Sequence, residues 1–144
     1  MRVLKRFKEF IEKGFVRKQK EDFQRAESLI LESDDKYNFF IKIKEKIGVK
    51  ELYPNYVIET CYDILIQLIR ANLLSNGYNS SNSHEAEISY MEEIGFNYNE
   101  VSFMDDMRYF RNGIKYYGKI LKSDYAKKVI AFMEITRKKI KRLK

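Results

Sequence analysis

The sequence predicts an all-α fold, an up-and-down bundle of four main helices with a short helix and an extra N-terminal helix. The 144 residues include only six glycines and one proline, and these two residue types are the strongest local breakers of regular structure. Hydrophobic residues make up 44% of the chain, enough to form a packed core. They recur at spacings of three and four residues, which is the period of an amphipathic helix.

Glycines and one polar loop separate the predicted helices. A helix over residues 2–13 stops at Gly14 and belongs to an N-terminal extension (residues 1–16) of a single domain spanning residues 1–144. A long helix over residues 17–47 stops at Gly48, because glycine commonly follows the last residue of a helix. The remaining helices are predicted over residues 55–74, 84–94, 99–121 and 124 to the C-terminus, with "SNGYNSSNS" (75–83) as a loop.

Local signals support the ends of these later helices. Pro54 suits the first turn of the helix over residues 55–74, and the broad apolar face of that helix identifies it as the central core helix. Asn82 or Ser83 can cap the short helix that begins at residue 84. Gly95 is predicted to end that helix.

Positive charge is concentrated at the two ends of the chain, whose net charge is +7. Residues 1–20 carry eight basic and two acidic side chains, residues 115–144 carry eleven and two, and the segment between them is acidic. A basic segment attracts phosphate backbones, but lysines are also favoured at a solvated helix end by the helix dipole. Charge alone therefore leaves nucleic-acid binding open.

The expected environment is the cytoplasm. Cys61 is the only cysteine, so no internal disulfide can form, as is usual in a reducing compartment. Basic residues follow Met1 at once instead of the apolar stretch of a secretory leader. No run of 18 apolar residues is present, so we expect no membrane span.

The segment Arg108–Gly118, "RYFRNGIKYYG", places polar and apolar side chains on opposite sides of the fifth predicted helix. A helical wheel gives one apolar seam, made of Phe103, Met107, Phe110, Ile114, Tyr117 and Leu121. The arc opposite that seam is polar and is made of Asp105, Arg108, Arg111, Asn112, Lys115 and Tyr116. We therefore expect this arc to face solvent, a ligand or a second subunit. Gly113 lies at the edge of the seam, where it indicates either simple packing or the close approach of another backbone or a ligand.

This segment resembles the signature helix of HEPN domains (higher-eukaryote and prokaryote nucleotide-binding), in which Arg, a polar residue, three further residues and His form the motif. The resemblance extends over residues 21–143 through "KEDFQRAESLI", "YDILIQLIRANLLSNGYNSSNSHEAEISYM" and "SDYAKKVIAFM". It implies a helical bundle that dimerises with the motif helices near the two-fold axis. Many members of the family are metal-independent ribonucleases, several of them toxins silenced by a partner nucleotidyltransferase, and others bind nucleotides or proteins without catalysis.

On this resemblance Arg111 matches the motif arginine, Asn112 the polar residue, and Tyr116 takes the place of the histidine. Arg108, Lys115 and Lys119 add positive charge and are predicted to bind a nucleic acid or other ligand. Arginine and asparagine can stabilise charge on a phosphate. The pKa of a tyrosine hydroxyl is about 10, against about 6.5 for an imidazole, so Tyr116 is a poor base for RNA cleavage.

Other candidate groups have simpler explanations. His84 is interpreted as a surface or capping residue at a helix start, and Asp105 as an ion-pair partner of Arg108 three residues along the same face. No His or Cys cluster has metal-ligand spacing and no glycine-rich phosphate loop is present. We therefore predict neither a metal nor a cofactor.

Three functional interpretations follow. The preferred one is a HEPN-like module of a toxin–antitoxin or defence-type system that binds RNA or a nucleotide, with weak or lost metal-independent ribonuclease activity. The second is an active endoribonuclease toxin that cleaves RNA through a 2′,3′-cyclic phosphate. The third is a protein-interaction module that binds no nucleic acid. All three are expected to form a homodimer, and a nucleotidyltransferase antitoxin is a possible partner.

Overall fold

The computed structural model describes residues 3–118 and 120–143 and confirms the all-α class. The elements in chain order are α1 (Phe7–Glu12), β1 (Arg17–Lys18), α2 (Phe23–Ile47), α3 (Pro54–Ser75), β2 (Tyr78–Asn79), α4 (His84–Ser89), α5 (Tyr98–Tyr117) and α6 (Ser123–Arg142). Short 3₁₀ segments, Val49–Glu51 and Tyr90–Ile94, precede α3 and follow α4.

Helix α3 lies at the centre of the bundle, as its broad apolar face predicts. It packs against α2, α6, α5 and α4, and most of its side chains are buried. One cluster of buried hydrophobic side chains draws on every helix from α1 to α6. Removing this apolar surface from water is the main driving force that holds the helices together.

The long helix α2 begins at Phe23 and not at residue 17, so its predicted start is wrong. Arg17 and Lys18 form β1, which pairs antiparallel with Asn79 and Tyr78 of β2. The Asp22 carboxylate then caps α2 by accepting a hydrogen bond from the Arg25 backbone N–H at 3.1 Å. A two-residue strand whose partner is about 60 residues away leaves no periodic signal in the sequence.

The N-terminal helix is shorter than the predicted range of residues 2–13. It begins at Phe7, after the Arg6 backbone N–H donates a hydrogen bond to the Glu9 carboxylate at 2.9 Å. Phe7 and Phe10 are buried, so this helix belongs to the main core. The extension is thus packed onto the bundle.

Helix α5 ends at Tyr117, four residues before the predicted end. Gly118 adopts the left-handed conformation with φ of +64°, and its N–H donates to the Ile114 carbonyl at 3.2 Å. Glycine adopts this conformation without the penalty that a Cβ would add. At the other end, Asn97 and Glu100 form a capping box that sets the first turn.

Helix α4 is held in place by a buried ion pair. Glu87 is fully buried, and its carboxylate accepts hydrogen bonds from Arg70 of α3 at 2.7 and 3.0 Å. The Ser80 hydroxyl donates to the same carboxylate at 2.6 Å. The Ser83 hydroxyl caps the helix by accepting from the Ala86 N–H. These contacts position the first residue of α4, His84, against α3.

Cys61 is buried on α3, and burial raises the pKa of its thiol. Across residues 3–118 and 120–143, no helix combines the length and the apolar content that crossing a bilayer requires.

Candidate functional site

A pocket of about 360 Å³ lies between the start of α4 and the second half of α5. It brings together five of the six predicted site residues, namely Arg108, Arg111, Asn112, Lys115 and Tyr116. The sixth, Lys119, lies outside the described residues. The rest of the lining comes from the loop before α4 and its first turn, through Asn82, Ser83, His84 and Glu85.

Arg111 is fixed by two consecutive residues of α3. Its Nη2 lies 3.1 Å from the Asp63 Oδ1, and its guanidinium carbon lies 5.3 Å from the centre of the Tyr62 ring. The Arg111 side chain is 20% exposed, and its Nε has no hydrogen-bond acceptor within the part of the chain that the structure describes. The motif arginine is therefore held at the wall of the pocket by its own subunit.

This placement corrects the expectation that the polar arc of α5 faces away from the core. Asp105 is buried, and the side chains of Arg108 and Arg111 are 18% and 20% exposed. The cause is that α3, α4 and the 3₁₀ segment Tyr90–Ile94 pack against this side of α5. A helical wheel shows the two sides of one helix but not a second layer of neighbours.

Arg108 makes the ion pair with Asp105 that the sequence predicts. Its Nε donates to the Asp105 carboxylate at 2.9 Å, and its Nη1 lies 3.7 Å from the Glu85 carboxylate at the start of α4. These two acidic groups partly neutralise the charge of Arg108 at the pocket. Glu85 is the only carboxylate among the residues that line the pocket in the described part of the chain.

The rim of the pocket is formed by exposed side chains near the C-terminal end of α5. Tyr116 is 66% exposed, and the Lys115 Nζ lies 5.5 Å from the centre of its ring. No ion pair of Lys115 is found within residues 3–118 and 120–143, so its charge is available to a ligand. An aromatic ring beside a free ammonium can stack on a nucleobase while the cation contacts phosphate.

Tyr117 does not pack in the apolar seam, so that prediction is wrong. Its side chain is 80% exposed, and α5 ends at this residue. Gly113, by contrast, is buried within its own chain. The packing interpretation of this glycine therefore accounts for its position.

His84 is the residue that sequence reasoning set aside and the structure brings into the site. Its Nδ1 lies 2.9 Å from the Tyr62 hydroxyl, and the two rings are nearly parallel, with an interplanar angle of 19°. Burial lowers the pKa of His84 below its ordinary value, and the charges of Arg70 and Arg111 act in the same direction. The capping interpretation is replaced, because Ser83 and not His84 caps α4.

Tyr62 and Asp63, which hold Arg111 at the pocket, were also missed. Both lie within a helix whose apolar pattern marks it as core, and that pattern draws attention away from its polar residues. One signal was present: Asp63 is a charged residue in the most apolar stretch of the chain, where an acid usually has a partner. The identity of that partner, 48 residues away, depends on how α3 and α5 pack.

The pocket is rich in hydrogen-bond donors and poor in carboxylates. Two guanidinium groups, one ammonium, two carboxamides and one imidazole surround a volume that accommodates a phosphate group. Such donors bind phosphate oxygens through charge-assisted hydrogen bonds. Among the described residues, no three His, Cys, Asp or Glu side chains are grouped so as to hold a metal ion.

A larger cavity of about 890 Å³ lies between the segment before α1 and the first half of α5. Its lining mixes the cations Lys5 and Arg6 with the carboxylates Glu92, Asp105 and Asp106. Acidic groups in this number disfavour a phosphate. The smaller pocket, where donors outnumber carboxylates, is therefore the better candidate for the site that the sequence predicts.

Comparisons of the chain with protein-family models, with curated proteins and with solved structures found no significant match. The resemblance to HEPN domains thus stays a prediction from the motif and the helix order. The functional interpretation of the site is drawn from its own geometry.

Proposed function

We propose that the pocket binds the phosphate of an RNA or a nucleotide, and that the protein is a HEPN-like binding module with weak or lost ribonuclease activity. The observation that carries this proposal is the convergence of Arg108, Arg111, Asn112, Lys115 and His84 on one pocket of about 360 Å³. Four of these residues lie within eight positions of one helix, and the fifth comes from another helix. A donor cluster of this kind matches a multidentate anion such as a phosphate ester.

Single-stranded RNA is the preferred form of the ligand. Tyr116 lies at the rim with most of its ring exposed, and exposed aromatic rings bind unpaired bases by stacking. The basic side chains of α6 near the C-terminus, which include Lys138, Lys139 and Lys141, add attraction for a phosphate backbone. Lys139 and Lys141 are partly neutralised by acidic partners, so the pocket is the specific part of the surface.

We further propose a homodimer formed through the C-terminal end of α5. Tyr109, Tyr116, Tyr117 and Ile120 are exposed there, and large apolar side chains grouped on a surface favour association. Because Arg111 is directed toward its own α3, each subunit holds its own motif arginine. Tyr116 is the motif residue that a second copy can reach, together with the neighbouring Lys115. A role in a toxin–antitoxin or defence-type system, with a nucleotidyltransferase partner, is proposed on the resemblance alone.

The second candidate function is an active, metal-independent endoribonuclease. The observation that favours it is His84, because this residue supplies an imidazole in the pocket where the motif itself has Tyr116. Cleavage through a 2′,3′-cyclic phosphate needs a group that removes the proton of the 2′-hydroxyl. The two candidates therefore differ in whether His84 acts as a base.

One experiment tests both candidates. Fluorescently labelled single-stranded and hairpin RNAs are incubated with the protein in EDTA, binding is measured by anisotropy, and the same samples are analysed for cleavage products. Arg111→Ala is expected to weaken binding at least tenfold through the loss of charge-assisted contacts. Binding is also expected to weaken as salt increases.

Arg137→Ala is the matched control. Arg137 is 18% exposed and pairs with Asp34 at 3.1 Å, much as Arg111 pairs with Asp63, but it lies on α6 and does not line the pocket. Equal losses of RNA binding in the two variants would refute the proposed site. Cleavage by the wild type that Arg111→Ala abolishes would establish the second candidate instead of the first.

A further inference from the structure

We propose that Tyr62 fixes His84 in one tautomer, so that the imidazole presents an Nε2–H donor to the pocket and binds phosphate instead of acting as a base. The inference rests on the proposed function, since it assigns a role to His84 at the same site. It names His84 as a ligand-binding residue and Tyr62 as the residue that positions it.

The Tyr62 hydroxyl has one hydrogen to donate. Tyr62 is fully buried, and the His84 Nδ1 is its hydrogen-bond partner within the described part of the chain, at 2.9 Å. A buried hydroxyl that cannot donate its hydrogen loses the free energy of hydration without compensation. If His84 donated from Nδ1, the Tyr62 hydrogen would have no acceptor. Tyr62 therefore donates and Nδ1 accepts.

The chemistry of imidazole decides the role of the second ring nitrogen. A neutral ring carries one hydrogen, and when Nδ1 is the acceptor that hydrogen is on Nε2. Nε2 is thus the ring nitrogen that remains for the pocket that His84 lines, and it is a donor. A lone pair at Nε2 is what a base would need to remove the proton of a 2′-hydroxyl. In this tautomer that lone pair is absent.

The surroundings of the ring keep it neutral near pH 7, which is the condition for a fixed tautomer. The charged groups that act on it are Glu87 on its own helix, Arg70 and Asp63 on α3, and Arg111 on α5. Glu87 and Asp63 favour the protonated ring, but each is already paired with an arginine. Burial and the two arginines lower the pKa, so the neutral form prevails.

The direct test uses the fact that His84 is the only histidine in the chain. The protein is labelled with ¹⁵N-histidine, and the two ring nitrogens are observed by long-range ¹H–¹⁵N correlation at pH 7. The expected spectrum shows a protonated Nε2 and an unprotonated Nδ1 for the wild type. A protonated Nδ1, or an equal mixture of the two tautomers, would overturn the proposal. This measurement needs no substitution.

The Tyr62→Phe variant tests the role of the hydroxyl. Removing it leaves Nδ1 without its donor, and we expect the ring to shift toward the mixture of tautomers found in a free imidazole. Circular dichroism checks that the fold is kept. A folded Tyr62→Phe protein with an unchanged tautomer would show that Tyr62 does not position His84.

Measurements of phosphate binding distinguish this inference from the proposed function. Inorganic phosphate is titrated into the wild type, His84→Gln and His84→Leu. The glutamine amide can still accept from Tyr62 and donate to phosphate, so we expect it to retain affinity within about threefold, whereas leucine loses about tenfold. If His84→Gln loses as much affinity as His84→Leu, the donor role fails. If phosphate shifts no His84 signal although Nε2 is protonated, the proposed function fails while the role of Tyr62 is supported.

Discussion

Arg111 Nη2 lies 3.1 Å from Asp63 Oδ1, which ties the motif arginine of α5 to the core helix α3. The neighbouring residue, Tyr62, contacts the Arg111 guanidinium with its ring and His84 with its hydroxyl. Two consecutive residues of α3 therefore orient side chains from two other helices. The pocket is organised from the core of the protein and not from the motif helix alone.

The Asp63→Asn variant tests whether the ion pair with Asp63 weakens the binding of phosphate by Arg111. Without the carboxylate, Arg111 has its full charge available, and we expect phosphate affinity to increase by up to about fivefold. The loss of a partly exposed ion pair should also lower the free energy of unfolding by about 0.5–1 kcal/mol. Calorimetric titration with phosphate and urea denaturation measure the two effects.

Asp34→Asn is the control for this change. Asp34 pairs with Arg137 at the same 3.1 Å and with Lys141 at 2.8 Å, and neither cation lines the pocket. Its loss should therefore lower stability without altering the affinity of the pocket for phosphate. An unchanged or lower affinity in Asp63→Asn would show that the pair positions Arg111 and does not restrain it.

The Tyr116→His variant tests the departure from the HEPN motif. A histidine at this exposed position supplies a group with an ordinary pKa of about 6.5. General acid–base catalysis by such a group typically increases the rate by about 10²- to 10⁴-fold. We expect RNA cleavage in EDTA to appear or to increase by about 10²-fold, as measured with end-labelled single-stranded RNA. Tyr117→His is the control, because Tyr117 is 80% exposed, against 66% for Tyr116, but does not line the pocket. Cleavage at the same rate in both variants would exclude a specific role for position 116.

The Glu87→Ala variant tests the anchor of α4. Removing this buried carboxylate leaves Arg70 and Ser80 without their acceptor, and breaking such a pair costs about 3–5 kcal/mol. Urea denaturation should show a loss of that size. Glu85→Ala removes an exposed carboxylate two residues away, 3.7 Å from Arg108, and should change the stability by less than about 1 kcal/mol. Similar losses in the two variants would contradict the anchoring role.

Stability should depend on pH through His84. The pKa of this residue is lowered in the folded protein, while in the unfolded chain it is about 6.5. Between these two values the unfolded chain binds a proton that the folded chain does not, so acid favours unfolding. The contribution of His84 is therefore complete above about pH 6.5 and is lost as the pH falls through the folded value.

Urea denaturation of the wild type and His84→Gln between pH 5 and 7.5 isolates the contribution of His84 to stability, since all other titratable groups are common to both proteins. The stability of the wild type relative to the variant should decrease toward pH 5. A relative stability that increases with acid would mean that the folded protein binds the proton more tightly.

The proposed homodimer predicts that Tyr117→Glu weakens self-association. A charge placed among the exposed aromatic residues at the end of α5 disfavours burial of that surface. Light scattering at several protein concentrations should show a smaller mean mass than for the wild type. Phe23→Glu, at another exposed aromatic position on α2, is expected to leave the mass unchanged. A wild type that is monomeric at every concentration would refute the dimer.

The predictions from the sequence succeed where the signal is local. The few glycines and one proline, with apolar residues at helical spacing, indicate the all-α class and the central place of α3. Gly48 and Gly95 mark the ends of their segments, and Arg108 pairs with Asp105 at the spacing of three that the helix dictates. These features depend on neighbours in the chain, so the sequence alone is sufficient.

Features that depend on distant residues were wrong or missed. The pairing of β1 with β2 joins residues about 60 positions apart, so the start of α2 was misplaced. The layer formed by α3 and α4 covers part of the arc of α5 that was expected to be open, and Asp105 on that arc is buried. The ring of Tyr117 is exposed because the helix ends, although its spacing places it in the seam.

The sequence by itself determined the helical class, the core helix and the segment that carries the candidate site. Only the tertiary structure decided that His84 joins that site, that Asp63 pairs with Arg111, and that Tyr62 contacts both His84 and Arg111. The physical reason is the distance along the chain over which each effect acts. Helical propensity and periodicity act within a few residues, whereas the pocket is lined by side chains of α5, α4 and the loop before α4. Packing of these elements against α3 in the core sets their relative positions.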